Sequence, residues 1–266
     1  MIYIRKRRTP VVIEKEAERI KETPGSGYKE LRLPEDSGQL RALFDKMPKD
    51  EIRTELVKEQ HGLCAYCMRR ITGQRNDTKI EHYEALSVNK ETALDYQNYL
   101  GVCYGGEKDK LDNEHQNVRC LCCDASRGEK ILVINPWNKR QMEAIGDYKK
   151  TGEIYVRPNV GLGVELEEAM QRDIDEVLHL NGEKDSDGKI KWDTTSKLVA
   201  GRRCICDSVR SQFERWSKKG TLTAEFLQDK IDKLESKLQG DNVADEYIGV
   251  RLYLYKRKAE KLRKQN

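Results

Sequence analysis

The sequence has few of the features that span, tether or unravel a chain. Only six prolines occur in 266 residues and there is no low-complexity tract, which argues against long disorder. No apolar run is long enough to cross a membrane, and the opening Met1-Ile2-Tyr3-Ile4-Arg5-Lys6-Arg7-Arg8 lacks the apolar stretch of a signal peptide. The expected location is therefore the cytoplasm. No internal repeat is present. Apolar residues are scarce for a globular chain, at 37%, and charged residues abundant, at 36%. That balance predicts a modest core, much exposed helix and a surface available to a partner. The charges nearly cancel: 50 basic residues against 46 acidic ones leave a net +4. A nucleic-acid partner fits this value, but any basic patch must come from local clustering.

Cysteine is what the sequence does have, and it is unevenly placed. Six of the eight lie between Cys64 and Cys123, and the others are Cys204 and Cys206. In a cytosolic protein such clustering favours metal binding over disulfides. Cys64-Ala65-Tyr66-Cys67 is a C-x2-C pair suited to tetrahedral zinc. Cys103, Cys120, Cys122 and Cys123 compete to supply two further thiolates. Cys204 and Cys206, on a predicted helix, read as packing residues.

Around this cluster the pattern predicts an α+β chain. Residues 1–36 read as an extended basic leader with a turn at Pro24-Gly25-Ser26-Gly27. Ser37 reads as the N-cap of a short helix carrying Leu40, Leu43 and Phe44. A second helix is expected from about Lys49 to Gln60. A β-rich zinc module over 62–134 ends in a short helix near Ala125, and 152–158 alternates as a strand does. From Glu165 onward the chain is predicted helical. Its stripes are Leu166/Met170/Ile174/Val177, Leu198/Ile205/Val209/Phe213 and Phe226/Leu227/Ile231/Leu234, with Gly240 as a C-cap, followed by a helix through Ile248, Leu252 and Tyr255. The expected divisions are 1–61, 62–134 and 135–266, the last a possible partner-binding surface.

Within the module, Glu81-His82 follows a predicted strand. A carboxylate beside a strand-end imidazole can hold a hard cation while the imidazole takes a proton from water. Taken alone, such a histidine is more often simply packed. Asn98 can fix an imidazole through its amide carbonyl, or merely cap a turn. Cys123-Asp124-Ala125-Ser126-Arg127-Gly128 places polar side chains and an arginine beside a thiolate.

In order, these elements resemble the HNH endonuclease family: C-x2-C, Glu-His, Asn98, Cys103, then Cys-Asp-x-x-Arg-Gly. The resemblance implies a zinc-stabilised ββα-metal fold embedded in a mostly helical chain. It implies structural zinc on Cys64, Cys67, Cys103 and Cys123, with Glu81 as a catalytic ligand for Mg²⁺ or Mn²⁺. By the same resemblance His82 is the general base and Asn98 its orienting residue, and Ser126 stands where many members place a second metal ligand. Two departures follow from the sequence. An insertion with Gly105, Gly106 and His115 makes Cys120 a rival of Cys103, and serine is a weaker ligand than Asn or His, for which Asp124 can compensate. Arg69, Arg70, Arg75, Arg127 and Lys130 are the basic residues expected to hold a phosphate backbone. The opening Met-Ile-Tyr-Ile-Arg-Lys, Glu59–Cys67, Asn98–Cys103 and Leu178-His179-Leu180-Asn181 narrow the resemblance to PtuB-type nucleases of Septu and retron anti-phage systems. That implies a DNA or RNA substrate, a PtuA-type ATPase partner and a possible retron reverse-transcriptase complex. The competing expectation is a catalytically inactive zinc-bearing module that binds nucleic acid or protein. A third is a redox sensor built on Cys120, Cys122 and Cys123.

Overall fold

The computed structural model describes residues 1–108, 121–188, 190–192 and 197–265, and the side chains of these except 147 and 190–192. Cys120 and His115, and with them the proposed rivalry for the zinc, lie outside the described residues. The architecture is α+β. Helices α1 (Val11–Glu22), α2 (Ser37–Phe44) and α3 (Lys49–Glu59) precede a hairpin of β1 (Lys79–His82) and β2 (Tyr99–Val102). The short α4 (Asp124–Arg127) and α5 (Lys139–Ala144) lead to a second hairpin, β3 (Ile145–Tyr148) with β4 (Ile154–Val156). Then come α6 (Val164–Arg172), continued by a π turn (Asp173–Val177), and a small ribbon of β5 (Glu183–Lys184) and β6 (Ile190–Trp192). The long helices α7 (Leu198–Lys218), α8 (Ala224–Ser236) and α9 (Ile248–Arg263) close the chain. No helix among the described residues is long and apolar enough to cross a membrane.

Five expectations are corrected. Residues 1–36 are not an extended leader. Val11–Glu22 is helical because Ile13, Ala17 and Ile20 recur at helical spacing and are buried. Met1, Ile2 and Ile4 are buried in the core, and Ile4 N–H donates to the Pro136 carbonyl at 3.0 Å. Ser37 opens α2 as its first residue, after Asp36 rather than as the cap. Among its described residues the 62–134 segment is not β-rich: its strands are two four-residue pieces, with a 3-10 turn at Tyr96–Asn98 and the short helix Asp124–Arg127 beside them. Gly240 lies beyond the end of α8. Of the two helix cysteines, Cys206 is buried as expected and Cys204 is exposed.

Two hydrophobic cores flank the first hairpin. One joins Met1, Ile2 and Ile4 to the Cys64–Met68 turn, the π turn and α7–α9. The other packs α1–α3 against Leu86, Leu94, Tyr96 and Tyr99. Alternation along β2 sends Tyr99 to the second core and Leu100 and Val102 to the first, so both faces of this strand are buried. The cores cut across the boundaries expected from sequence.

Candidate functional site

The Cys64–Cys67 turn is built onto β2. Cys64 N–H donates to the Arg69 carbonyl at 2.8 Å, and Ala65 N–H donates to Gly101 at 3.1 Å. Met68 takes a positive φ of 63°, which turns the chain back. The buried Gln60 locks this joint. Its amide nitrogen donates to Leu63 and Gly101, at 2.9 and 2.7 Å, while its oxygen accepts from Gly101 N–H at 2.7 Å. Beyond β2 the chain reaches Cys103, then Gly105 at φ +57°, where a Cβ would lie 2.0 Å from the Cys122 carbonyl oxygen. Only glycine admits that approach, and it lets Gly105 accept from Cys122 N–H at 2.9 Å. Cys123 is thereby delivered opposite the first pair.

The result is a cluster of Cys64, Cys67, Cys103 and Cys123, all buried, with sulfurs within 4.8 Å of one another. Cys64–Cys123, Cys67–Cys103 and Cys103–Cys123 stand 4.0, 3.7 and 3.9 Å apart. Zinc–thiolate bonds of about 2.3 Å place tetrahedral sulfurs about 3.8 Å apart, whereas a disulfide needs about 2.05 Å. The four cysteines therefore fit a metal ion such as zinc. They are the four that the resemblance implied. Burial opposes ionisation of Cys64, but its thiol neighbours Cys103, Cys123 and Cys67 hold it well below the ordinary range.

On β1, alternation places Glu81 and His82 on opposite faces. Glu81 pairs with Leu100 and turns toward α4. Its carboxylate is buried, accepts from the Tyr66 hydroxyl at 3.3 Å, and is ion-paired with Arg127 Nη1. Asp124 hydrogen-bonds to the same carboxyl group and is paired with Lys79 at 2.5 Å. Burial and then the adjoining Asp124 push Glu81 well above the usual carboxylate range. Asp124 is held low, despite burial, by the Glu81 hydrogen bond and by Lys79. The two carboxyls lie within hydrogen-bonding reach of each other, and such a pair of oxygens could hold a hard divalent cation.

His82 occupies the other face. Its ring packs edge-on against Phe44, at 4.5 Å between centroids, and Tyr99, at 5.0 Å. Its Nε2 lies 3.0 Å from the Ala93 carbonyl oxygen, which also accepts from the Tyr99 hydroxyl at 2.8 Å. A carbonyl only accepts, so Nε2 carries the hydrogen and Nδ1 of the neutral ring is the basic nitrogen. Burial lowers the His82 pKa to about 4, with Arg41 and Lys49 acting in the same sense and the Ala93 bond against it.

Three sequence-predicted roles are not met by this geometry. Asn98 does not touch His82. Its Oδ1 accepts from Glu84 N–H at 2.8 Å, and its Nδ2 donates to the carbonyls of Glu84 and Thr92, at 3.0 and 3.2 Å, so it clamps the 84–92 loop. The orienting acceptor is Ala93, a backbone group carried by every residue type and hence silent in sequence. Ser126 donates its hydroxyl to the Val177 carbonyl at 2.8 Å, which directs it away from the acid pair and leaves Asp124 as the carboxylate beside Glu81. Arg127 is 2% exposed and wholly engaged inside, donating to Glu81, Tyr66 and the carbonyls of His82, Tyr83 and Lys130. It braces the site from within. Lys130 and Arg75 are exposed, whereas Arg70 donates to the Gly62 and Ala244 carbonyls. Tyr66 and Gln60, both buried, were missed; neither residue type at its position carries a signal.

Compared with protein-family models and with curated proteins, the chain matches none of them.

Proposed function

We propose that the chain is a metal-dependent nuclease of the HNH type. The observation that carries this reading is the pinned, neutral imidazole of His82 at the end of the strand that also presents Glu81 to Asp124. Because the acid pair and the imidazole flank opposite faces of β1, a phosphate would have to span that strand to meet both. Glu81 and Asp124 would hold Mg²⁺ or Mn²⁺, which supplies charge stabilisation to a phosphate and its leaving oxygen. His82 would receive the proton of an attacking water at Nδ1, with Ala93 fixing the ring tautomer. Exposed Lys130 would be one basic residue available to the backbone. Structural zinc on the four cysteines would fix β2 and α4, and so the strand and the acid that face each other. The resemblance to PtuB-type nucleases supports an anti-phage role beside a PtuA-type ATPase, with a retron reverse transcriptase as a possible third component.

A second reading has one observation in its favour. Glu81 is buried and already satisfied by Arg127 and Tyr66, as in a purely structural module. Purified chain, with and without the ATPase, assayed on DNA and on tRNA with Mg²⁺, Mn²⁺ or EDTA, separates the two. Cleavage to 5′-phosphate ends that needs the cation and is lost in His82→Ala, with zinc retained, is the expected result. Cleavage unchanged by His82→Ala removes His82 as base.

A further inference from the structure

Beside the hairpin lies a cavity of about 430 Å³ that contains neither His82, Glu81 nor Asp124. Its walls are mainly apolar: Tyr83, Ala85, Val88, Ile131, Leu132 and Trp137. Tyr83 and Trp137 meet edge-on at 5.0 Å and form the floor. Apolar residues also stand out at the mouth, where Ile131 is 79% exposed and Val88 55%. Isolated exposed aliphatics are ordinary, but several around one apolar cavity mark a binding surface.

Two further observations say what fits. First, the Trp137 indole N–H is buried and has no hydrogen-bond partner among the described residues. A buried unsatisfied donor costs about 1–3 kcal/mol, so a turn of the indole that brings this N–H to an occupant's acceptor removes that cost. Second, the polar part of the lining is acidic. Glu84, Asp95 and Glu129 all contribute, and among the described residues none is ion-paired with a cation. Glu84 is instead hydrogen-bonded by Asn89 and Thr92, and Asp95 by the Gln97 N–H. The one cation in the lining, Arg127, is spent on Glu81 and on backbone carbonyls. Such a rim repels the phosphates of a nucleic acid and attracts lysine and arginine.

We propose that this cavity docks an extended segment of a partner protein, in which an apolar side chain fills the pocket, flanking basic residues meet the acidic rim, and a backbone carbonyl accepts from a Trp137 indole that turns to meet it. The recognition is of a short anchor with charge complementarity at its edge. It goes beyond the nuclease reading and is independent of it, because neither the occupant nor the readout below involves cleavage.

The test pans displayed random peptides on the full chain, with Ile131→Asp as counter-selection; Ile131 is exposed, so this variant keeps its core. Enriched sequences should share an apolar residue flanked by Lys or Arg. A synthetic peptide of that consensus should shift the indole N–H resonance that disappears in Trp137→Phe. Its affinity should fall about tenfold in Glu129→Lys. The proposal is overturned by any of four results: no enrichment over the counter-selected variant, enrichment of acidic sequences, an unmoved Trp137 resonance, or the same shift produced by a mixed-sequence single-stranded oligonucleotide.

Discussion

The Nε2 of His82 is held 3.0 Å from the carbonyl oxygen of Ala93, and that one contact decides which nitrogen of the ring can act as a base. With the hydrogen fixed on Nε2, the Nδ1 lone pair is free to take a proton. The ring stays neutral far below the usual histidine range because burial between Phe44 and Tyr99 disfavours its charge.

The pH dependence of cleavage should show it. A histidine base with an ordinary pKa loses activity below about 6.5. Here His82 stays unprotonated until the pH approaches about 4. The acid limb of kcat/KM should therefore lie well below pH 6. His82→Ala should cost about 10²–10⁴-fold in cleavage. An acid limb at 6.5 in the wild type would refute the buried neutral ring.

The same group affects stability, with a definite sign. Its pKa is depressed in the folded chain, so its contribution is fully present above about 6.5, the unfolded value, and is lost as the pH falls toward about 4. Over that window the unfolded chain binds a proton that the folded one refuses. Urea titrations from pH 7 to 4.5 should show wild-type stability falling faster than that of His82→Gln. Equal slopes would count against the shift.

Zinc should be bound at one ion per chain, measured by elemental analysis, and lost in Cys64→Ser or Cys103→Ser. Cys206→Ser, remote from the cluster, should keep it. Chelation should lower the melting temperature, since binding energy at such a site is folding energy. Gly105→Ala should destabilise by more than about 1 kcal/mol, because its φ is positive and its Cβ would strike the Cys122 carbonyl.

Arg127 and Lys130 should separate by assay. Arg127→Ala leaves Glu81 without its cation and should cost about 3–5 kcal/mol of stability, read by denaturant unfolding. Lys130→Ala should leave stability unchanged and reduce the salt slope of substrate binding by about 1. The reverse assignment would return Arg127 to the phosphate.

Asn98→Ala should lower kcat by loosening the 84–92 loop while leaving the acid limb of the pH profile in place. A shifted limb would mean that the asparagine acts on the imidazole itself.

The strand-end position of His82, the helix of 124–127, the Cys64–Cys67 C-x2-C turn and the helical stripes after Glu165 were legible because each rests on periodicity or a turn. The identity of the four clustered cysteines followed from a resemblance, and spacing alone did not choose among them. What was not legible came from tertiary partners. Ala93 acts through its carbonyl and Asn98 through two loop carbonyls. The inward turn of Arg127 depends on Glu81, which lies 46 residues away. The helix over 11–22 was obscured by the basic run before it, and the fixing of Met1–Ile4 needs helices that arrive only at the far end of the chain.

That last feature has a temporal consequence. Met1, Ile2 and Ile4 share one core with Ile248, Val250, Leu252, Tyr255 and Ala259 of α9, and the same core backs the cysteine turn and β2. During synthesis residues 1–4 therefore wait for residues 248–259 before this core can close. The hairpin gains both of its walls only once α9 has been made, so a chain cut short of it lacks the support that holds Glu81 and His82 in place.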